Sequence, residues 1–193
     1  MAGGILLTLI GVLWAIRARP SQVAQPTPPL ADLLLRKSDL ADRGFECELV
    51  ERDAEEMAKE MAQFTGLSPD YLEGQGVYFL VYSPPPRPKA VTHGVYRYES
   101  EEEAIAHYEH LLEALPLAPL GRETPIISWS EQSSKGIKGQ ILEAQDPIGI
   151  AYCFFGVRGK LLTIMEVLGT ESTGQPVFEK LLPIALQRMA EPQ

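Results

Sequence analysis

The chain has 193 residues, with 26 acidic and 17 basic side chains and a net charge of −9 at pH 7. This length is enough for one domain with a buried core. The acidic excess argues against binding to nucleic-acid phosphates or anionic lipid headgroups, because like charges repel. With two cysteines in the whole chain, a disulfide-dense scaffold is excluded.

The N-terminal segment is predicted to attach the protein to a membrane. Residues 3–16 are uncharged and almost wholly apolar, Arg17 and Arg19 follow, and residues 20–29 are rich in Pro and Gln. We therefore expect an anchor at residues 1–19, a linker at 20–29 and a single domain at 30–193. A spanning helix needs about 20 apolar residues, so a cleaved signal peptide or a buried core helix remains an alternative. The two arginines by themselves favour a cytoplasmic domain under the positive-inside rule.

The first half of the domain is predicted to alternate helices and strands. The leucines of residues 30–40 predict a short helix, and the alternation in residues 45–50 predicts a strand. Asp53 and Glu56 have the spacing of a helix N-terminal cap, and Gly66 ends that helix. Residues 74–76 (GQG) are predicted to form a turn that opens a strand at 76–82, and a proline-rich loop follows.

The second half is predicted to be a strand meander between two helices. A strand at 94–98 precedes a helix with Ser100 at its cap and Glu103 as the reciprocal partner. Further strands are predicted at 125–130, 136–144, 148–157 and 160–168, with a tight turn at Arg158-Gly159. Pro176 opens a closing helix. This order predicts an α+β fold, an antiparallel β-sheet meander with packed helices.

The two cysteines, Cys47 and Cys153, both fall in predicted strands. Outside the cytoplasm they could form one disulfide, provided that the fold brings them within bridging distance. The alternative is two buried thiols that pack as small hydrophobic side chains. Two cysteines this far apart in the sequence do not form a zinc-binding motif.

The histidines offer the strongest candidates for chemistry. His107 and His110 are three residues apart on a predicted helix, with Glu103 one turn earlier, a spacing that could serve a metal ion. A solvated helix surface explains the same pattern without a ligand. His93 lacks an evident nucleophile or orienting acid. The sequence therefore predicts no catalytic residue, no metal site and no cofactor.

Four tyrosines form the remaining pattern of interest. Tyr78, Tyr82, Tyr96 and Tyr98 alternate along two predicted strands. They could line an apolar cleft on one face of the sheet. Core packing and cross-strand pairing provide the alternative explanation.

The order of landmarks resembles a group of uncharacterised bacterial exported or membrane-anchored domains of the PsbP-type α/β fold. The matching segments are residues 33–45 (LLLRKSDLADRGF), 95–108 (VYRYESEEEAIAHY), 149–167 (GIAYCFFGVRGKLLTIMEV) and the closing helix. A Gly-Asp pair common before the final hairpin is replaced here by residues 144–147 (AQDP). The resemblance implies an extracytoplasmic binding or scaffold role and transfers no site residues.

The sequence thus predicts a membrane-tethered, non-catalytic binding or sensor-like domain. Its partner would be a protein or a small apolar ligand, besides the membrane itself. One alternative is an accessory or assembly subunit of a membrane complex. The other is an enzyme that uses the surface histidines.

Overall fold

The computed structural model describes residues 28–42, 44–52, 71–83, 88–114, 126–146 and 149–190. The predicted anchor, most of the linker and the predicted helix at 53–66 lie outside these residues. Within the described part of the chain, no helix combines the length and the apolar composition that crossing a bilayer requires.

The described elements form one antiparallel sheet with helices packed on it, which confirms the predicted α+β class. The strands are β1 (Glu46–Arg52), β2 (Glu73–Ser83), β3 (Ala90–Arg97), β4 (Ile126–Glu131), β5 (Lys138–Asp146), β6 (Gly149–Arg158) and β7 (Leu161–Gly169). The helices are α1 (Leu30–Leu33), α2 (Lys37–Ala41), α3 (Glu101–Ala114) and α4 (Gln175–Ala190).

The strand order is β1-β2-β3-β7-β6-β5-β4, and every neighbouring pair is antiparallel. Two meanders, β1 to β3 and β4 to β7, therefore meet where β3 pairs with β7. Helix α3 lies in the sequence between the two meanders, and the chain that follows it re-enters the sheet at the far edge as β4. Among the described strands, β1 and β4 lie at the two edges of the sheet.

The sheet has an apolar core on each face, because side chains of a strand alternate between faces. Tyr152 and Phe154 of β6 belong to the larger core, which α1 and α4 cover, whereas Cys153 and Phe155 belong to the smaller core beneath α3. Phe154 is fully buried. Helix α4 inserts its predicted apolar stripe into the larger core: Phe178, Leu181, Leu182, Ala185 and Met189.

The start of α3 confirms the predicted cap with one difference. The Glu103 N–H donates to the Ser100 hydroxyl at 3.1 Å. The Glu103 carboxylate accepts from the Glu99 N–H at 3.2 Å instead of from Ser100. The first bond satisfies an amide that the first helical turn leaves without an intrahelical partner, and the second satisfies the amide of the residue that precedes the cap.

Two local predictions are wrong. Residues 30–40 form two short helices instead of one, because Leu34 and Arg36 adopt extended backbone angles (ψ 154° and 156°) between α1 and α2. Residues 74–76 are not a turn but lie within β2, where Gly74 pairs with Tyr96. A side chain at Gly74 would collide with the Tyr71 and Tyr96 rings, so close aromatic packing explains this glycine.

Candidate functional site

His93 lies at the centre of a polar network in the larger core. It is on β3, facing the segment between α1 and α2, and has no solvent exposure. The Leu35 N–H donates to its Nδ1 at 3.0 Å, and its Nε2 lies 2.9 Å from the Thr163 hydroxyl of β7. Because Nδ1 accepts, the ring proton must be on Nε2, which donates to Thr163. The Thr163 hydroxyl then donates to the Gly94 carbonyl at 3.2 Å.

This arrangement ties the His93 ring into the packing of the larger core. Burial, with the positive charge of Arg188 adding to it, lowers the pKa of His93 to about 3, and Asp39 opposes the shift. Both ring nitrogens are engaged by protein groups, the Leu35 N–H and the Thr163 hydroxyl. The structure therefore gives His93 the task of holding residues 34–36 against β3.

A second polar contact holds the same segment to the C-terminal helix. Arg188 of α4 donates to the Leu34 carbonyl at 2.5 Å and pairs with both Asp39 carboxylate oxygens at 2.8 and 2.9 Å. Asp39 in turn accepts from the Arg36 N–H at 2.6 Å. The Arg188 and Asp39 side chains are 15% and 11% exposed, so this ion pair is shielded from water. Removing either side chain would leave the other charge shielded without its counter-charge.

These contacts hold residues 34–36, which form the roof of a small groove between residues 31–37 and strands β1 and β2. Its volume is about 180 Å³. Leu34, Leu35 and Val77 are buried in its wall, while Arg36 and Lys37 are exposed at its mouth. The complete lining is Ala31, Leu34, Leu35, Arg36, Lys37, Leu49, Gln75, Gly76 and Val77. An apolar cleft with a few polar groups at its rim is the usual form of a small-molecule site.

The two helical histidines lie in different surroundings on α3. His107 packs its ring on Tyr98 at 4.7 Å between centroids and lies 3.2 Å from the Glu103 carbonyl, whereas His110 is exposed. Nowhere in the described ranges do three His, Cys, Asp or Glu side chains come together in a way that could hold a metal ion.

The sheet holds the two cysteines apart, so a disulfide between them is incompatible with this fold. Cys47 lies in the larger core on β1 and Cys153 in the smaller core on β6. Four strand spacings of about 4.8 Å separate β1 from β6, far beyond the ~7 Å limit for a bridge. Burial raises the pKa of the Cys47 thiol, and Lys37 opposes the shift.

The four tyrosines share one face of the sheet without lining one cleft. Tyr96 and Tyr98 are buried in the smaller core, where desolvation raises the pKa of both phenols. Tyr82 is 51% exposed, and its hydroxyl donates to Glu48 at 2.7 Å. Tyr78 is half-buried. Core packing thus accounts for two of the four.

No local sequence pattern identifies the residues that build the groove and its roof. Asp39 and Arg188 are 149 positions apart, and no local pattern links them. One signal was available: Leu34 and Leu35 extend the leucine run beyond what one face of a short helix can bury.

Comparison with known proteins finds a likeness of fold. No protein-family model matches the chain, and no curated protein sequence matches it. Among solved structures, the chain is similar to the extracellular domain of PknH from Mycobacterium tuberculosis, with a TM-score of 0.51 and 14% sequence identity. The alignment covers 86% of this chain and 99% of that domain. The chain therefore shares the fold of that extracellular domain.

Proposed function

We propose that this protein is a membrane-tethered, extracytoplasmic and non-catalytic binding domain of the sensor type. Its ligand site is the groove beneath residues 31–37. The observation that carries the proposal is a groove with an apolar wall, two cations at its mouth and a roof held by His93 and Arg188.

The tether and the location have separate support. The fold is shared with a domain that is extracellular in PknH, and the sequence resembles exported PsbP-type domains. Residues 1–29 have the layout of an anchor and a linker. At the start of the described chain, Arg97 donates to the Pro28 carbonyl at 2.6 Å, so the linker would join the domain close to the groove-forming segment.

The proposal that the domain is not catalytic is supported by the contacts that the polar side chains near the groove already make. His93 and Thr163 are satisfied by each other and by backbone groups, and Arg188 is paired with Asp39. Each of these side chains helps to hold residues 34–36 in place through these hydrogen bonds and this ion pair. Binding is the chemistry that remains for an apolar cleft of this kind.

The groove favours a short amphiphile with an anionic group. A volume of about 180 Å³ corresponds to about six water volumes of ~30 Å³ each, which suits a short aliphatic chain. Leu34, Leu35 and Val77 would contact the chain. Lys37 at the mouth would attract a carboxylate, together with Arg36, whose exposed guanidinium also lies 3.6 Å from the Asp32 carboxylate.

The test uses octanoate as the probe and the full-length protein in lipid nanodiscs. We expect saturable binding by equilibrium dialysis, with 1-octanol bound at least about tenfold more weakly because it lacks the charge. Ala31→Trp would cover the groove mouth and abolish saturable binding. Ala106→Trp places the same side chain on an exposed position of α3 and would leave binding unchanged. Equal uptake by both variants would refute the groove as the site.

A further inference from the structure

The chain that leads into the roof of the groove runs alongside β2. Near the start of that strand, Arg97 of β3 donates to the Pro28 carbonyl. Further along, the Leu35 N–H donates to His93, and His93 lies opposite Val77 of β2. These two contacts fix the direction of the roof, which therefore passes over β2 from its start towards its middle.

Lys37 marks the end of the groove that lies farther along β2. Its positive charge acts on the Cys47 thiol, where it opposes the rise in pKa that burial causes. Cys47 is opposite Val81 of β2. Leu49, which lines the groove, is opposite Phe79. This end of the groove therefore carries the positive charge that attracts an anionic group.

Gln75 marks the opposite end of the groove, near the start of β2. Its side chain is on the same face of the strand as that of Val77, because alternate residues share a face, and both residues line the groove. Gln75 is half-buried, and its amide makes no hydrogen bond to another residue that the structure describes. By contrast, His93 and Arg188 above the groove are bonded within the protein. The Gln75 amide is therefore available to a ligand.

We propose that Gln75 is the specificity-determining residue of the groove, which takes a carboxylate whose chain carries a hydroxyl group at its far end. This inference rests on the proposed function, because it names the ligand class of the same groove. Gln75 and Phe79 are four positions apart, roughly 13 Å along an extended strand. The carboxylate lies at the Lys37 end, the apolar chain lies against Val77, and the hydroxyl reaches the Gln75 amide.

The chemistry of the amide selects this kind of chain end. An apolar chain end that covers Gln75 removes the amide from water without a replacement hydrogen bond, which weakens binding. A hydroxyl both donates and accepts, so it can bond to either the nitrogen or the oxygen of the amide. A second carboxylate would bring a charge that the neutral amide does not balance. The groove therefore distinguishes a hydroxy acid from a simple fatty acid and from a dicarboxylate.

The test compares octanoate with 8-hydroxyoctanoate by equilibrium dialysis on the full-length protein in lipid nanodiscs. The wild type should bind the hydroxy acid about fivefold more tightly, the effect of one net hydrogen bond. Gln75→Met removes the amide and should reverse this order, because the hydroxyl would lie among apolar side chains without a partner. Gln187→Met makes the same change at an exposed position of α4 and should keep the wild-type ratio.

A third variant and the octanoate measurement separate the two ends of the groove and the two proposals. Lys37→Met should weaken both probes by a similar factor and keep their ratio, because both carry the same carboxylate. Saturable octanoate binding without a preference for the hydroxy acid, or a preference that persists in Gln75→Met, would overturn this inference and leave the proposed function standing. No saturable binding of octanoate would refute both.

Discussion

Acidification should destabilise the domain through His93. The imidazole is fully buried and neutral, and burial lowers its pKa from an ordinary 6.5 to about 3. Between these two values the unfolded chain binds a proton that the folded chain does not. Stability is therefore fully present above pH 6.5 and is lost as the pH falls toward 3.

The size of the effect follows from the linkage relation. Moving from pH 7 to pH 5 should cost about 2 kcal/mol of unfolding free energy, because one pKa unit corresponds to about 1.4 kcal/mol. This pH window avoids most carboxylate titration. Protonation of Nδ1 would also remove the acceptor for the Leu35 N–H, so the loss should first loosen residues 34–36.

The assay is urea unfolding of the full-length protein at pH 7 and pH 5. His93→Gln should be less stable at pH 7 but should lose about 2 kcal/mol less on acidification than the wild type. His110→Gln removes an exposed histidine and serves as the control that keeps the wild-type pH response. An unchanged pH response in His93→Gln would refute the assignment of the effect to this residue.

Two further predictions concern the packing that surrounds this network. Asp39→Ala should cost about 3 kcal/mol because it leaves Arg188 shielded and unpaired, and the double variant with Arg188→Met should cost less than the sum of the singles in urea unfolding. A double variant that loses the full sum would contradict coupling of the pair. Gly149→Ala should destabilise the protein by more than about 2 kcal/mol, because the added Cβ would collide with the Gly169 carbonyl oxygen. Gly159→Asn, at an open position with φ +52°, should shift the thermal midpoint little, since Asn tolerates this conformation; equal losses from the two glycine changes would contradict this explanation.

Local sequence patterns were sufficient to predict most of the described elements. The apolar stripe of α4, the Ser100 cap of α3 and the alternation of β6 and β7 are each set by residues within a few positions of one another. Side chains return to the same face every 3.6 residues in a helix and every 2.0 residues in a strand, so each pattern can be read within one segment of the chain. For this reason the α+β class and the final hairpin followed from the sequence.

Contacts between distant residues determined what the sequence could not predict. The break between α1 and α2 exists because Leu35 bonds to His93 and Leu34 to Arg188, partners 58 and 154 positions away. The pairing of β3 with β7 sets the strand order, which separates Cys47 from Cys153. Such contacts form only when the whole sheet assembles, so no local pattern encodes them. The anchor and the strand pattern were thus sequence predictions, whereas the buried histidine, the groove and the position of Gln75 in its wall depend on the tertiary fold.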